Sequence, residues 1–539
     1  MAKDEDVIEV GRDVEREYPQ DEKPDLSGGA EEVVGMQELD PALDRKMHLV
    51  NNALDQIGWT NYHLKLFFLN GFGYGVDALQ LSLQGIIAVQ AVLEFQPSYD
   101  KGLTIALYMG MLVGALFWGF FADIIGRKIA FNISLFICSV FTIAAGGAPN
   151  WAGLGVLIAV AAFGAGGNLI LDTAVFLEYL PSNKQWLLSL LPAWFGIGCT
   201  IAGLVAWGFM RESLYILILF LYRWINSADD DDTIANFSCA DASDCTRANN
   251  SGWRYLMYTM GAFIAVLAVA RVTVIRLQET PKFLLGQGRD EEVVQNLQAI
   301  AKKYNRPCHL TIEHLEACGT VKTAHSKNRF SFGEFLIHLR SLFLTKKMGF
   351  TTILLWLSWS SIGLAYPLFN VFLPYYLASR GVQFGVTSTN VTWRNYALVQ
   401  ICGIFGPILG AVMSNWRPLG RKYTMVIGAL ITMAFFFAYS QVKSQVENLA
   451  YSCIISFTLE IYYGVLYGYT AESLLSAHRG TANGIAVAFC RLAGAFSAVV
   501  ATYADPSTTG PVFVCAALYG GLALFAVLFP FEPYGKRAA

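Results

Sequence analysis

From about residue 64 the chain alternates long apolar runs with short polar breaks. The runs fall near 64–91, 102–122, 129–148, 152–177, 186–209, 254–275, 349–377, 395–415, 424–441, 449–471, 481–503 and 510–530. A helix needs about 20 apolar residues to cross the hydrocarbon of a bilayer, so each run reads as a membrane span. They divide six and six around the polar stretch 276–347. The pattern predicts an all-α polytopic membrane protein, with 12 transmembrane helices in two six-helix halves. Such duplication is the habit of transporters built from internal repeats. The expected units are a tail at 1–46, a half at 47–275, a central loop at 276–347, a half at 348–530 and a short tail at 531–539.

Composition supports this division. Only 15% of the 539 residues are charged, against about 25% in soluble proteins. That excludes a string of soluble domains. A net charge of −3 gives nucleic acid nothing to bind. The charges are segregated. Residues 1–46 are polar and rich in acids, with few large apolar side chains, which predicts disorder. At the end of that tail Leu43, Met47, Val50, Leu54 and Ile57 recur at helical spacing. They predict a short amphipathic helix on the inner membrane surface.

Lysine and arginine favour cytoplasmic loops. One set of loops carries Arg127, Lys128, Lys184, Arg417, Arg421, Lys422 and Arg479, and the central stretch is basic as well. The alternate loops are acidic or sparse. Both termini and the central loop are therefore expected in the cytoplasm. The glycosylation sequons at Asn236, Asn249 and Asn390 fall in loops expected outside. Cys239 and Cys245 share one of those loops, either as a disulfide or as two free thiols. No cysteine has metal-ligand spacing, so neither a metal nor a cofactor is expected.

After the second run comes Gly119-Phe-Phe-Ala-Asp123-Ile-Ile-Gly126-Arg127-Lys128, a tight turn with glycines, an acid and two cations. Gly410 and Gly420-Arg421-Lys422 repeat it in degenerate form. The pattern resembles the loop signature of the major facilitator superfamily. Gly164-Ala-Gly166-Gly167-Asn168, then Asp172 and Glu178, look like that superfamily's sugar-porter-like members. So do Glu279-Thr280-Pro281-Lys282 and Glu472 with Arg479. The Gly-Gly-Asn168 cluster and Phe531-Glu532-Pro533 are similar to a sister branch of synaptic-vesicle-protein-like transporters and fungal metabolite permeases. The resemblance covers about residues 45–535. It implies the twelve-span fold and transport by alternating access.

A charge in mid-membrane costs about 2.5–3.5 kcal/mol on insertion scales, so each one invites a reason. Asp77 lies in Asn70-Gly-Phe-Gly-Tyr-Gly-Val-Asp77, near the middle of the first run. It is a candidate for proton coupling or substrate binding, against a structural hydrogen-bonded acid. Asp172 is either functional or a partner of loop cations. Glu460, mid-run in the tenth, is either a substrate or proton site or a shielded neutral acid. Arg491 is a counter-charge for an anion or a snorkelling side chain, and Arg271 is expected to snorkel. Glu178, Glu279 and Glu472 are expected to form gate salt bridges with Arg127, Arg421 and Arg479. Asn168, Asn370 and Gln400 are polar candidates for substrate contact, beside Trp356, Trp359, Tyr366 and Tyr375. The alternative for the aromatics is plain packing. No predicted span contains a histidine, so proton coupling rests on carboxylates.

Residues 211–235 break the expected passage from the fifth span to the outer loop. Their apolar part is too short to span. They read either as translated intron, with codons compatible with splice signals, or as an external re-entrant or surface helix. Transcript sequencing separates the two.

Together these features predict a secondary active transporter of a small organic solute (sugar-like, an organic acid or another metabolite) driven by proton symport. The alternative is a transporter-like solute sensor, disfavoured by the short stretch after residue 530. No nucleotide-binding loop and no nucleophile motif suggests an enzyme. The expected partners are the solute, protons and the lipid bilayer. The chain is expected to act as a monomeric glycoprotein of the plasma membrane, or else of the vacuolar membrane.

Overall fold

The computed structural model describes residues 41–209, 238–274, 279–321, 339–377, 389–473, 479–504, 509–530 and 532, apart from 240, 241, 244, 341, 344 and 375. The stretch 211–235, Asn236 and Tyr375 therefore lie outside the described residues.

Helix α1 spans Pro41–Ile57 and α2 spans Asn61–Phe95. Next come α3 (Gly102–Ile125), α4 (Arg127–Gly146), α5 (Trp151–Gly166) and α6 (Asn168–Tyr179). A 3-10 segment, Ser182–Ser189, leads into α7 (Ala193–Phe209), and α8 covers Gly252–Val274. Three short helices follow: α9 (Pro281–Gly286), α10 (Asp290–Lys303) and α11 (Ile312–Glu316). The second half holds α12 (Lys346–Asn370), α13 (Thr389–Ser414), α14 (Gly420–Tyr439), α15 (Gln445–Ser473), α16 (Arg479–Tyr503) and α17 (Gly510–Leu528).

Among the described residues 12 helical stretches are long and apolar enough to cross a membrane. The fourth is α5 continued by α6, with the break at Gly167. There the cluster of glycines brings backbones together. A Cβ on Gly164 would lie 2.6 Å from the Cys138 backbone nitrogen in the third span, and one on Gly166 would lie 2.5 Å from the Met111 carbonyl in the second.

The halves repeat one packing scheme. The second span packs on the fourth and the eighth on the tenth. The third packs on the sixth and the ninth on the twelfth. The first meets the fifth, and the seventh meets the eleventh. Across the halves the second span packs on the eleventh and the fifth on the eighth. Gly119 serves this seam: Gly484 of α16 approaches its Cα so closely that a Cβ there would lie 3.6 Å away. The outer faces are apolar, with Phe136, Val156, Val266, Phe405 and Phe496 more than half exposed. Water would penalise so continuous an apolar surface, and lipid covers it at no cost. The chain is an integral membrane protein.

Two expectations at the start of the chain need correction. The helix begins at Pro41, inside the stretch assigned to the 1–46 tail. Its apolar stripe does not face a membrane surface. Leu43, Met47, Val50, Leu54 and Ile57 are buried, and α1 packs on α9, α10 and α11. Lys46 pairs with Asp290 of α10, the Gln56 side chain accepts from the His309 backbone N–H (3.1 Å), and Asp55 accepts from the Ser182 backbone N–H (2.7 Å). The central 276–347 stretch supplies helices to cover that stripe, so a partner within the protein replaces lipid.

Candidate functional site

The candidate residues separate into a buried mid-span cluster and a basic end where the short Arg and Lys loops lie. In the mid-span cluster, Asp77 of α2 accepts from Arg491 of α16, Oδ2 to Nη2 at 2.7 Å. Both side chains are buried. The pair joins the first span of one half to the eleventh span of the other. Asp77 Oδ1 and Arg491 Nε have no hydrogen-bond partner among the described residues. The snorkelling alternative for Arg491 is therefore replaced by a buried ion pair.

Asp172 of α6 accepts from Arg271 of α8 at 2.7 Å, also fully buried. This corrects two expectations. Arg271 does not snorkel, and Asp172 is paired with a neighbouring span rather than with loop cations. Arg271 is also held by the Phe131 carbonyl (3.0 Å), and its guanidinium stacks 3.8 Å from the Phe131 ring centre. Asn168 belongs to the same scaffold, its Oδ1 accepting from Ser134 Oγ at 2.8 Å. Gly73 makes room for the pair: a Cβ there would fall 1.6 Å from Asp172 Oδ2. All these residues lie in one half.

Aromatic rings pack beside these pairs. Tyr366 stacks on Tyr463 (5.5 Å), and Phe195 meets both edge-on. The Tyr463 and Tyr467 hydroxyls share a hydrogen bond (2.9 Å), and Trp359 lies across Tyr467 at 4.7 Å. Tyr74 of the first span meets Tyr467 of the tenth at 5.4 Å, so the aromatic cluster crosses the halves. Trp356 instead stacks on Phe489 of α16. Asn370 and Gln400 are buried, and Asn370 Oδ1 and Gln400 Nε2 lack partners among the described residues. Glu460 is buried beside Tyr366.

At the basic end the two halves repeat a charge cluster. Arg127 pairs with Glu178 and donates to Thr280 Oγ1 at 3.0 Å. The backbone N–H groups of Arg127 and Lys128 donate to Glu279 (3.1 and 3.3 Å). Burial, only partly offset by these donors, holds the Glu279 carboxyl above its ordinary range. In the second half Arg421 pairs with Glu472, and the N–H groups of Arg421 and Lys422 donate to Glu532 (3.0 and 2.8 Å). Each turn is made by a glycine with positive φ, Gly126 at +106° and Gly420 at +58°. In each, a Cβ would strike the acid, at 2.6 and 2.7 Å. The expected bridges of Glu178 and Glu472 thus form within halves, and Glu279 caps a helix start through the Arg127 and Lys128 backbone, with both cations nearby. The role of Glu532 is new. Its signal was an acid before proline just past the last span of a half, as at Glu279-Thr280-Pro281. The side chains of Asp123 and Arg479 lie outside the described residues.

On the opposite face Cys239 and Cys245 form a disulfide. The Cys239 N–H donates to Gln90 Oε1 at 3.0 Å, tying the loop to α2. Asn249 is exposed in that loop, and Asn390 lies at the start of α13 with its side chain outside the described residues. Among the described residues no group of three potential ligands could hold a metal.

A duplicated twelve-span bundle with a buried ion pair joining its halves fits a transporter built from internal repeats. Comparison with known proteins agrees. The Major Facilitator Superfamily profile matches residues 247–498. The chain is 38% identical to the MFS siderochrome iron transporter 1 of Ceriporiopsis subvermispora, over 93% of each. It is 24% identical to the synaptic vesicle 2-related protein of Rattus norvegicus, over 90% of this chain and 82% of that one. Among solved structures, the proton:xylose symporter XylE of E. coli superimposes with a TM-score of 0.63 at 15% identity, over 89% of this chain and 98% of that one. The chain belongs to the major facilitator superfamily and is a transporter of small solutes.

Proposed function

We propose that the protein is a proton-coupled symporter of a small organic solute, with the basic end and both termini facing the cytoplasm of a fungal-type plasma membrane. The observation that carries this reading is the buried Asp77–Arg491 pair between the halves. Leaving one member of a buried pair uncompensated costs about 3–5 kcal/mol. The buried charge is therefore balanced in two ways. Either Asp77 is ionised against Arg491, or Asp77 carries a proton and Arg491 faces another anion. The second arrangement takes up a proton and an anionic solute together. It also breaks the link between the halves, which frees them to rock. The aromatic lining and Arg491 favour a flat organic acid within the wider class of sugars, acids and other metabolites. Asp172 and Arg271 stay within one half and serve as scaffold.

Uptake into proteoliposomes across a panel of organic acids, sugars and other metabolites tests this. One or more solutes should accumulate when the outside is made acidic. Uptake that ignores the pH gradient for every transported solute would sink symport.

A further inference from the structure

A buried carboxylate in the second half has no cation paired with it among the described residues. Glu460 lies mid-span in α15, 4% exposed. Its Oε2 has no hydrogen-bond partner among the described residues. Three spans bring titratable groups to it: the Tyr366 hydroxyl from α12, the Cys199 thiol from α7 and the Tyr519 hydroxyl from α17. The Tyr519 hydroxyl is itself unpartnered among the described residues. From α13 come glycines. A Cβ on Gly406 would lie 2.7 Å from Glu460 Cβ, and one on Gly403 would lie 3.8 Å from its Cγ. The packed neighbours thus give the side chain space and neutral groups, and among the described residues no arginine or lysine pairs with it.

Asp77 and Asp172 show the contrast, since each has an arginine at 2.7 Å. A carboxylate without such a partner, away from water, is stable as the neutral acid and ionises when water or a cation reaches it. Tyr366, which faces Glu460, stacks on Tyr463, and Tyr463 shares a hydrogen bond with Tyr467. Glu460 therefore adjoins the same aromatic cluster that crosses the halves beside Asp77 and Arg491.

We propose that Glu460 is a second proton-loading site, separate from the Asp77–Arg491 pair. The step is a simple exchange: the carboxylate takes a proton from water when the transport cycle exposes it to one side, holds it as the acid while buried, and returns it to water on the other side. This rests on the symport reading and adds a proton to the same cycle.

Infrared difference spectra of the purified full chain in liposomes, stepped from about pH 5 to about pH 9, read this without any solute. A carbonyl band of a protonated carboxylic acid should fade as pH rises. It should be missing in Glu460→Gln and retained in Asp77→Asn. Spectra of Glu460→Gln that superimpose on the unmodified protein overturn the proposal, and so does loss of the band in Asp77→Asn. If Glu460→Gln does not fold, Tyr366→Phe decides: removing the facing hydroxyl must shift the band, and an unshifted band overturns the assignment. Uptake plays no part in this readout, so a failure of symport would be seen separately.

Discussion

Asp77 and Arg491 are 414 residues apart in sequence and 2.7 Å apart in space, the first in α2 and the second in α16. A pair of this kind is costly to halve and cheaper to remove whole. Asp77→Asn and Arg491→Gln should each destabilise the protein by about 3 kcal/mol, and the double variant by clearly less than their sum. Thermal unfolding in detergent checks this. Additive losses would show that the two side chains do not act as a pair.

Gly73 is the tightest of the first-span glycines, because a Cβ there collides with Asp172 and Arg271. Gly73→Ala should abolish folded yield. Gly75→Ala, whose Cβ would meet the Trp194 carbonyl at an ordinary 3.4 Å, should be tolerated. Size-exclusion profiles of the two purified variants distinguish them.

Glu279 and Glu532 occupy equivalent places at the starts of α4 and α14. A carboxylate at a helix N-terminus contributes about 0.3–1 kcal/mol, and up to about 2 when partly buried. Glu279→Ala and Glu532→Ala, each removing the acceptor of two backbone N–H groups, should therefore lower the melting temperature by similar small amounts. A large effect of one with no effect of the other would break the equivalence.

Asn249 is exposed in the loop closed by the Cys239–Cys245 disulfide. If that loop is external, protein made in a eukaryotic host should gain gel mobility on glycosidase treatment. Part of the gain should disappear in Asn249→Gln. Modification of an engineered site near residue 305 instead would invert the orientation.

Much of the fold was legible because hydropathy reports span length directly. The spans and the six-plus-six division follow from it, with shifts of a few residues at the ends. The site was legible residue by residue but not pair by pair. Asp77, Asp172, Glu460 and Arg491 stood out as charges among apolar neighbours. Which acid met which arginine depends on helix rotation and on packing between distant spans, which apolar composition does not encode. Arg271 shows this most clearly. Its place near a span end suggested water, while α4, α6 and α2 enclose it. The buried side of α1 was hidden for a related reason, since an amphipathic stripe does not say whether lipid or protein covers it.

The most direct test of the central claim compares Asp77→Asn with the unmodified protein in the same proteoliposomes, for a solute the latter transports. The unmodified protein should accumulate that solute when the outside is acidic. Asp77→Asn should still exchange labelled for unlabelled solute across the membrane but accumulate markedly less of it in the same pH gradient, because only the Glu460 proton remains in its cycle. Accumulation by Asp77→Asn equal to that of the unmodified protein would contradict the account.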